Sequence, residues 1–383
     1  MKHFPLFKVH VPIDEVMNNI RNVLESGFIN EGSFVTQFSN ELQKALKADN
    51  LIVVNSCTSA LTLALHLSGV GYDDEVISTP MTCVATNTPI ANRQAKIVWS
   101  DIDFNTGMID ASSVEKLITE KTKAIIAVAW AGTPPNLYTL RQVCDAHNIP
   151  LILDAAHAFA AEYDGKPIHE WADYTCYSFQ AIKHVTTGDG GALICRSNTQ
   201  HQRSKALKWF GLDRDRAKDA DGNWKGQQWD VDIIEPGYKF NMNNVAAAIG
   251  LAQINYVDHI IESHRKAAEL YNEYFRHTTA VRHVVVPNNV KSSHWVYTLL
   301  TTSSRPIRDE LLKRLNSEGI MAGLVHVPND DYAAFLTSKV DLPGVRRFSN
   351  IQFSLPCGWW LTDNDVKHIA SRVISISEEL TNE

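Results

Sequence analysis

The sequence has no long apolar run and no block of basic residues. None of its 383 residues belongs to a stretch of about eighteen consecutive apolar side chains. The first eight residues, which include Lys2 and Lys8, lack the apolar segment of a signal peptide. The formal net charge of −7 gives no electrostatic support for binding nucleic acid. The sequence therefore predicts a cytoplasmic protein that associates with neither membranes nor nucleic acid.

Closely spaced cysteines are also missing. The six cysteines are dispersed and form no C-x-x-C pair: Cys57, Cys83, Cys144, Cys176, Cys195 and Cys357. Most of them stand among apolar or small residues, which favours buried thiols over disulfides or zinc ligands. No metal centre is predicted.

Short apolar segments alternate with helical patterns from residue 51 to residue 154. The predicted strands are 51–54, 75–78, 96–100, 123–129 and 150–154, and the predicted intervening helices are 58–67, 84–93, 112–118 and 137–147. Apolar strands separated by helices indicate an α/β fold with a mostly parallel sheet that is covered on both faces. Ligands of such sheets bind at the carboxyl ends of the strands.

The length exceeds that of one hydrophobic core and predicts two domains, 1–245 and a smaller α/β domain at 246–383. Helices are predicted at 13–26 and 35–46 before the alternating region, and around 242–256 and 259–278 after it. The long irregular stretch 213–237 is typical of an active-site loop.

The stretch from Tyr177 to Gly191 combines a hydroxyl group, a lysine and a glycine-rich turn. A lysine that is desolvated or placed near another cation has a lowered pKa and forms Schiff bases readily. Lys183 is therefore a candidate catalytic residue, although most lysines are solvated surface charges.

Two further segments have both a functional and a structural interpretation. The segment 55–59 joins a strand to a helix, where backbone N–H groups favour a phosphate, but a Ser/Thr N-cap explains it equally well. Asp154 ends an apolar strand and needs a cationic or hydrogen-bonding partner. The pyridinium nitrogen of pyridoxal phosphate (PLP) is one such partner. A loop anchor or a cap is the alternative.

Taken together, these segments resemble the DegT/DnrJ/StrS-type nucleotide-sugar aminotransferases. The matching segments are "SGFINEGSFVTQF", "NSCTSALTLAL", "DEVISTPMTCVATNTPI", "LILDAAHAFAAEYDGK", "CYSFQAIKHVTTGDGGALI" and "PGYKFNMNNVAAAIGLAQI". The resemblance implies a PLP-dependent transferase of fold type I, the aspartate-aminotransferase fold, with the cofactor bound by the larger domain.

The resemblance also implies residue roles. Lys183 would hold PLP as a Schiff base and shuttle a proton during catalysis, and Asp154 would keep the pyridine nitrogen protonated. His157 would lie beside the phenolic oxygen of PLP, and Asn241 would reach the phosphate in the neighbouring subunit of a homodimer. The full set of implied cofactor-binding residues is Thr58, Ser59, Cys83, Asp154, His157, Ser178, Lys183 and Asn241.

The sequence departs from the family pattern at several positions. Cys57 replaces a glycine in the phosphate segment, and Cys83 stands where many members stack an aromatic ring on PLP. Asp189 replaces a glutamate. His184 follows the lysine, whereas a dehydratase branch of the family has histidine in place of the lysine. Since Lys183 itself keeps the Schiff-base position, we interpret His184 as a neighbour and favour transamination.

Two residues are candidates for binding the substrate. His326 resembles part of the family's substrate-side wall, and Arg214 could pair with a diphosphate or a donor carboxylate. The ordinary alternatives are a structural role for His326 and a solvated surface charge for Arg214. The nearby Trp224 and Trp229 would either stack on a substrate ring or pin the loop to the core.

The resemblance thus implies amino transfer from L-glutamate, the family's usual donor, to a nucleotide-linked keto sugar, a 3- or 4-keto-6-deoxyhexose. The product would feed the synthesis of surface polysaccharide such as O-antigen or lipopolysaccharide, or of an antibiotic. One alternative is a nucleotide-sugar dehydratase that uses PLP or pyridoxamine phosphate. The other is a non-catalytic relative that binds a ligand on the same fold, for which the lysine would have no chemical purpose.

Overall fold

The structure is a computed structural model and describes residues 2–213, 232–335 and 340–382. Its α-helices are α1 (Ile13–Ser26), α2 (Ser33–Leu46), α3 (Cys57–Leu67), α4 (Val84–Asn92), α5 (Ala111–Leu117), α6 (Leu137–His147), α7 (Asn198–Leu207), α8 (Asn244–Gln253), α9 (Val257–Phe275), α10 (Arg305–Ser317), α11 (Pro343–Ile351) and α12 (Asp363–Asn382). Within the described ranges, no helix is both long and apolar enough to cross a membrane.

The strands lie in several sheets. They are β1 (Leu51–Val54), β2 (Glu75–Ser78), β3 (Lys96–Trp99), β4 (Ile102–Asp103), β5 (Met108–Ile109), β6 (Thr122–Val128), β7 (Leu151–Asp154), β8 (Glu162–Tyr163), β9 (Lys166–Pro167), β10 (Tyr174–Ser178), β11 (Gly191–Cys195), β12 (Val281–His283), β13 (Val290–Lys291), β14 (Tyr297–Thr301) and β15 (Gln352–Leu355). The predicted strands and helices between 51 and 154 are confirmed to within a few residues at their ends.

Seven strands form the central sheet, in the order β1-β11-β10-β7-β6-β2-β3. All neighbours are parallel except β11, which runs antiparallel to both β1 and β10. The middle strands are buried on both faces, as in the run Leu151–Asp154, because helices cover both sides of the sheet. The predicted α/β fold with a mostly parallel sheet is confirmed.

Parallel pairing brings the functional strand ends together. Asp154 is paired with Val128 of β6 and with Cys176 of β10. Ser178, the last residue of β10, therefore lies at the same edge of the sheet as Asp154. The loops that follow these strands share one space, which contains the candidate site.

A second sheet, β12-β14-β15, is antiparallel and packs with α9, α10 and α12 around a separate apolar core. Among the buried residues of that core, only Phe4 precedes residue 246. Two other buried clusters lie on the faces of the central sheet. The division at 245/246 remains a prediction.

The irregular segment 213–237 lies largely outside the described residues, which omit 214–231. Arg214, Trp224 and Trp229 therefore lie outside them as well. The two flanks of the segment are joined by antiparallel bridges between Leu212 and Ile233 and between Trp209 and Lys239.

Candidate active site

A cavity of about 400 Å³ opens at the carboxyl ends of β6, β7 and β10. Most of the residues singled out in the sequence line it: Thr58, Cys83, Asp154, His157, Ser178, Lys183 and His326. They come from five separate parts of the chain. The parallel sheet brings together residues that are more than 260 positions apart, because the strand ends share one edge.

Lys183 follows β10 in a tight turn in which its N–H donates to the carbonyl of Gln180 (3.0 Å). The turn continues through Gly188, whose φ of 81° is left-handed and favours glycine. The amino group of Lys183 lies 3.7 Å from the ring centroid of Trp295. Burial lowers the pKa of Lys183 to about 8, against the raising effect of the nearby Asp154. A lysine with this pKa has a substantial neutral, nucleophilic fraction near neutral pH.

Asp154 is buried, and only neutral groups among the described residues donate to it. Its Oδ2 accepts from the hydroxyl of Thr86 (2.7 Å), and its Oδ1 accepts from the N–H of Ala156 (3.0 Å). The Sγ of Cys57 lies 4.0 Å from Oδ1. Burial raises the pKa of Asp154, and the two hydrogen bonds oppose that rise. A protonated ring nitrogen in the cavity would supply the cation that this carboxylate needs.

The first turn of α3 points at the cavity. Ser56 caps the helix, because its Oγ accepts from the N–H of Ser59 (3.1 Å). A Cβ on Gly191 would lie 2.5 Å from the backbone nitrogen of Cys57, so the close approach of β11 to this turn requires glycine. Thr58 and Ser178 line the cavity beside the turn. Free backbone N–H groups and hydroxyls at a helix N-terminus fit a phosphate group.

Ser59 has a different environment from Thr58. Its hydroxyl donates to Oδ1 of Asn55 (2.6 Å) and lies 2.9 Å from the Oγ of Ser56. The cap interpretation therefore holds for Ser56 and Ser59, Ser59 does not line the cavity, and phosphate binding at Thr58 stays a prediction. Ser56 and Ser59 form a cap, whereas Thr58 faces the space where a phosphate would bind.

Two histidine rings form one wall of the cavity. His157 is stacked on Trp295 (centroids 3.9 Å apart, 15° between planes) and lies parallel to His326 at 5.4 Å. Burial lowers the pKa of His157 well below its ordinary value and that of His326 to about 3, so both rings are neutral. Nδ1 of His157 and Nε2 of His326 are buried without a hydrogen-bond partner among the described residues. Such unsatisfied atoms are costly unless a ligand supplies the missing partner.

His184 does not line this cavity. Its Nε2 lies 3.2 Å from the carbonyl of Ser293, and its ring packs edge-on against His264 at 4.7 Å. Its ring is therefore held by residues that do not line the cavity. This geometry fits the interpretation of His184 as a neighbour of the reactive lysine.

The remaining predicted site residues have mixed placements. Cys83 lines the cavity, with α4 beginning directly after it. Asn241 is buried beside Asn30 (3.2 Å) and does not line the cavity of its own chain. Arg214 is not among the described residues. All six cysteines are free, as expected, and only Cys83 is partly exposed.

The sequence reasoning missed two residues of the site, Thr86 and Trp295. Thr86 lies one helical turn beyond Cys83 in α4, and its hydroxyl also contacts that of Thr82 (2.8 Å). Its position in a segment already singled out was the available signal. No such signal pointed to Trp295, because the residues around it resemble the start of an ordinary apolar strand.

These observations fit PLP. Among the described residues, only neutral groups donate to the carboxylate of Asp154, and a buried ring nitrogen of His157 has no partner. The α3 terminus presents groups that suit a phosphate to the cavity that both of these residues line. Lys183 completes a donor set that matches the reactive groups of that cofactor.

Comparisons with known proteins agree with this geometry. A family model described as the DegT/DnrJ/EryC1/StrS aminotransferase family matches residues 12–374. The spore coat polysaccharide biosynthesis protein SpsC of Bacillus subtilis is 29% identical over 381 residues, covering 98% of this chain and 97% of that protein.

Two solved structures extend the comparison. The sugar aminotransferase CalS13 of Micromonospora echinospora has a TM-score of 0.89 at 30% identity, covering 97% of this chain and 99% of that one. The PLP form of a Streptococcus pneumoniae protein assigned as a sugar aminotransferase has a TM-score of 0.87 at 26% identity, covering 99% of both chains.

Proposed function

The chain belongs to the DegT/DnrJ/EryC1/StrS aminotransferase family, and we propose that it transfers the amino group of L-glutamate to a keto sugar carried on a nucleotide. The protein is a PLP-dependent sugar aminotransferase of fold type I. The observation that best supports the proposal is the meeting of Lys183, Asp154 and the α3 terminus in one cavity.

PLP supplies an electron sink for the carbon that bears the amino group and carries that group between the two half-reactions. Lys183, with its desolvated amine, would take the proton of the donor's Cα at Nζ and later release it. Asp154 would keep the pyridine nitrogen protonated. Thr58 and Ser178 would hold the phosphate, and His157 would orient the ring.

His326 supports the choice of a sugar substrate. The residue lines the cavity, and its buried Nε2 has no hydrogen-bond partner among the described residues, so it can donate to or accept from a hydroxyl or donate to a diphosphate oxygen. The acceptor we propose is a 3- or 4-keto-6-deoxyhexose. SpsC is named for polysaccharide biosynthesis, and by analogy the amino sugar made here would enter surface polysaccharide such as O-antigen or lipopolysaccharide, or an antibiotic. The reaction would take place in the cytoplasm.

We further propose a homodimer with shared sites. The first helix exposes a row of apolar side chains, since Ile13, Met17 and Leu24 are each more than half exposed. Phe28 extends this patch, which has the character of an interface. Asn241, which does not line the cavity of its own chain, would contact the phosphate in the partner's cavity.

The dehydratase remains the alternative. It would require a histidine in the role of the reactive base, and His184 is the only histidine next to the lysine in the sequence. That ring is turned toward Ser293 and His264. The placement favours amino transfer.

Absorbance spectroscopy of the PLP-loaded protein tests the proposal. Addition of L-glutamate should shift the violet band of lysine-bound PLP to the near-ultraviolet, and addition of a nucleotide-linked keto sugar should restore it. Lys183→Ala should show neither the initial band nor the shift. A wild-type protein that consumes the nucleotide sugar without any response to glutamate would instead be a dehydratase.

Subunit mixing tests the shared site. Lys183→Ala and Asn241→Ala subunits should each be impaired alone. Mixed dimers would contain one intact site, so random mixing should recover about a quarter of the wild-type activity. If mixing yields only the average of the two variants, Asn241 does not serve the partner's site.

A further inference from the structure

Trp295 contacts three elements of the candidate site at once. The Phe7 ring stacks on it with the ring centroids 4.7 Å apart, and the His157 ring stacks on it with the centroids 3.9 Å apart. Its indole N–H donates to the carbonyl of Ile182 (2.8 Å), the residue directly before the reactive lysine. The side chain is 3% exposed, so it has little room to move.

The amino group of Lys183 lies 3.7 Å from the centroid of this ring. An aromatic face attracts an ammonium ion but has no comparable attraction for a neutral amine, and the attraction is strongest where water is excluded. The backbone hydrogen bond to Ile182 fixes the distance between the ring and the base of the lysine side chain. The indole thus offers a docking position for the protonated form alone.

We propose that Trp295 is a positioning residue that holds the free side chain of Lys183 as an ammonium ion against the indole ring. In the proposed transamination, on which this inference rests, Nζ takes up a proton from the donor and must keep it until the return step. The indole stabilises Lys183 while it carries that proton. It does so without a carboxylate that would accept the proton in turn.

Other ionisable groups around Lys183 also act on its charge, and Trp295 adds a direct contact. Asp154, Cys57 and Cys83 line the same cavity and favour the charged form, but burial outweighs them. His157 and His326 line the same cavity and have lowered pKa values, and the pKa of His184, whose Nε2 lies 3.2 Å from the carbonyl of Ser293, is lowered as well. The Trp295 ring lies directly against the amino group, with Nζ 3.7 Å from its centroid.

Competitive labelling of the full-length chain, freed of PLP, measures the pKa of Lys183 directly. Acetic anhydride acetylates only the neutral amine, and mass spectrometry of the Lys183 peptide at a series of pH values gives the titration curve. Trp295→Leu should lower this pKa by about one unit, and Trp295→Phe, which keeps an aromatic face, should lower it by less than half as much. Trp171→Leu, at a tryptophan packed against Tyr138 and Tyr163, should leave it unchanged.

An unchanged or raised pKa in Trp295→Leu would overturn the inference, because burial by the indole would then outweigh its attraction for the ammonium ion. An equal drop in Trp295→Phe and Trp295→Leu would overturn it as well, since the Ile182 hydrogen bond and not the ring would be responsible. Circular dichroism of each variant establishes whether it is folded. If Trp295→Leu does not fold, the comparison of Trp295→Phe with the wild type provides the test. No glutamate or sugar is present, so failure of this inference is distinct from failure of the proposed reaction.

Discussion

Two pairs of buried histidines line spaces beside Lys183 and differ in their hydrogen bonding. The cavity histidines, His157 and His326, each have a ring nitrogen without a hydrogen-bond partner among the described residues. In the rear histidines, His184 and His264, a ring nitrogen lies within hydrogen-bonding distance of a backbone carbonyl, at 3.2 and 2.9 Å. Burial lowers the pKa of all four.

Hydrogen bonding thus distinguishes the two pairs of histidines where burial and residue type do not. A buried polar atom that already has its partner stabilises the fold, whereas one that lacks a partner costs free energy until a ligand arrives. The same distinction applies to carboxylates. Among the described residues, Asp173 accepts from Arg141 and from the N–H of Leu151, whereas Asp154 accepts only from neutral groups.

The carboxylate pair gives the largest expected effect. Asp154→Asn should reduce the rate of amino transfer about a thousandfold, because a neutral amide cannot keep the pyridine nitrogen protonated. Asp173→Asn should leave the rate nearly unchanged and lower the free energy of unfolding by about 1–3 kcal/mol, since it weakens a structural ion pair. Steady-state kinetics and urea denaturation of both variants provide the measurement. A similar loss of rate in Asp154→Asn and Asp173→Asn would show that the type of hydrogen-bond donor does not distinguish a functional carboxylate from a structural one.

The two pairs of histidines give the next largest expected effect. His157→Leu should lower kcat/KM about a hundredfold with little change in stability, because no intramolecular hydrogen bond is lost. His264→Leu should lower the free energy of unfolding by about 1–3 kcal/mol, because the carbonyl of His294 is left unsatisfied. Kinetics and denaturation again separate the two outcomes. If His157→Leu unfolds the protein as readily as His264→Leu does, the unsatisfied nitrogen is not a marker of function.

Acid should destabilise the fold through the rear histidines. The pKa of His264 is lowered from 6.5 to about 4 in the folded chain, chiefly by burial. Between these two pH values the unfolded chain binds more protons, so the free energy of unfolding falls as the pH falls from 6.5 toward 4. His264→Leu should flatten this slope by about 1.4 kcal/mol per pH unit.

Urea midpoints at a series of pH values measure the slope. His277→Leu, at an exposed histidine, is the matched control and should leave the slope as it is. An identical slope in wild type and His264→Leu would show that other groups govern the acid response.

Much of the site was predictable because its signals are local. Short stretches of sequence are enough to recognise Lys183 with its glycine-rich turn and Asp154 at the end of an apolar strand. The α/β alternation then implies that both strands end at the same edge. The cavity that Lys183 and Asp154 share with Thr58 follows from these two facts.

The rest depends on contacts between distant segments. Trp295 meets Lys183 across 112 positions, and nothing near Trp295 marks it as part of a site. The sequence predicts Thr86 to lie in a helix, but its hydrogen bond to Asp154 depends on where α4 lies relative to β7. The difference between Thr58 and Ser59 depends on side-chain direction at a helix terminus, which composition does not specify.

That last difference gives the smallest expected effect and extends the comparison to hydroxyl groups. Thr58→Val should raise the Kd for PLP about fivefold, because a hydroxyl facing the phosphate space is lost while the helix is kept. Ser59→Ala should leave that Kd nearly unchanged and lower the free energy of unfolding by about 1 kcal/mol, since its hydroxyl is bonded to Asn55 and Ser56 within the cap. Fluorescence titration with PLP and urea denaturation measure the two quantities. If Ser59→Ala weakens PLP binding more than Thr58→Val does, hydrogen-bond satisfaction does not distinguish the residues that bind PLP from those that hold the fold.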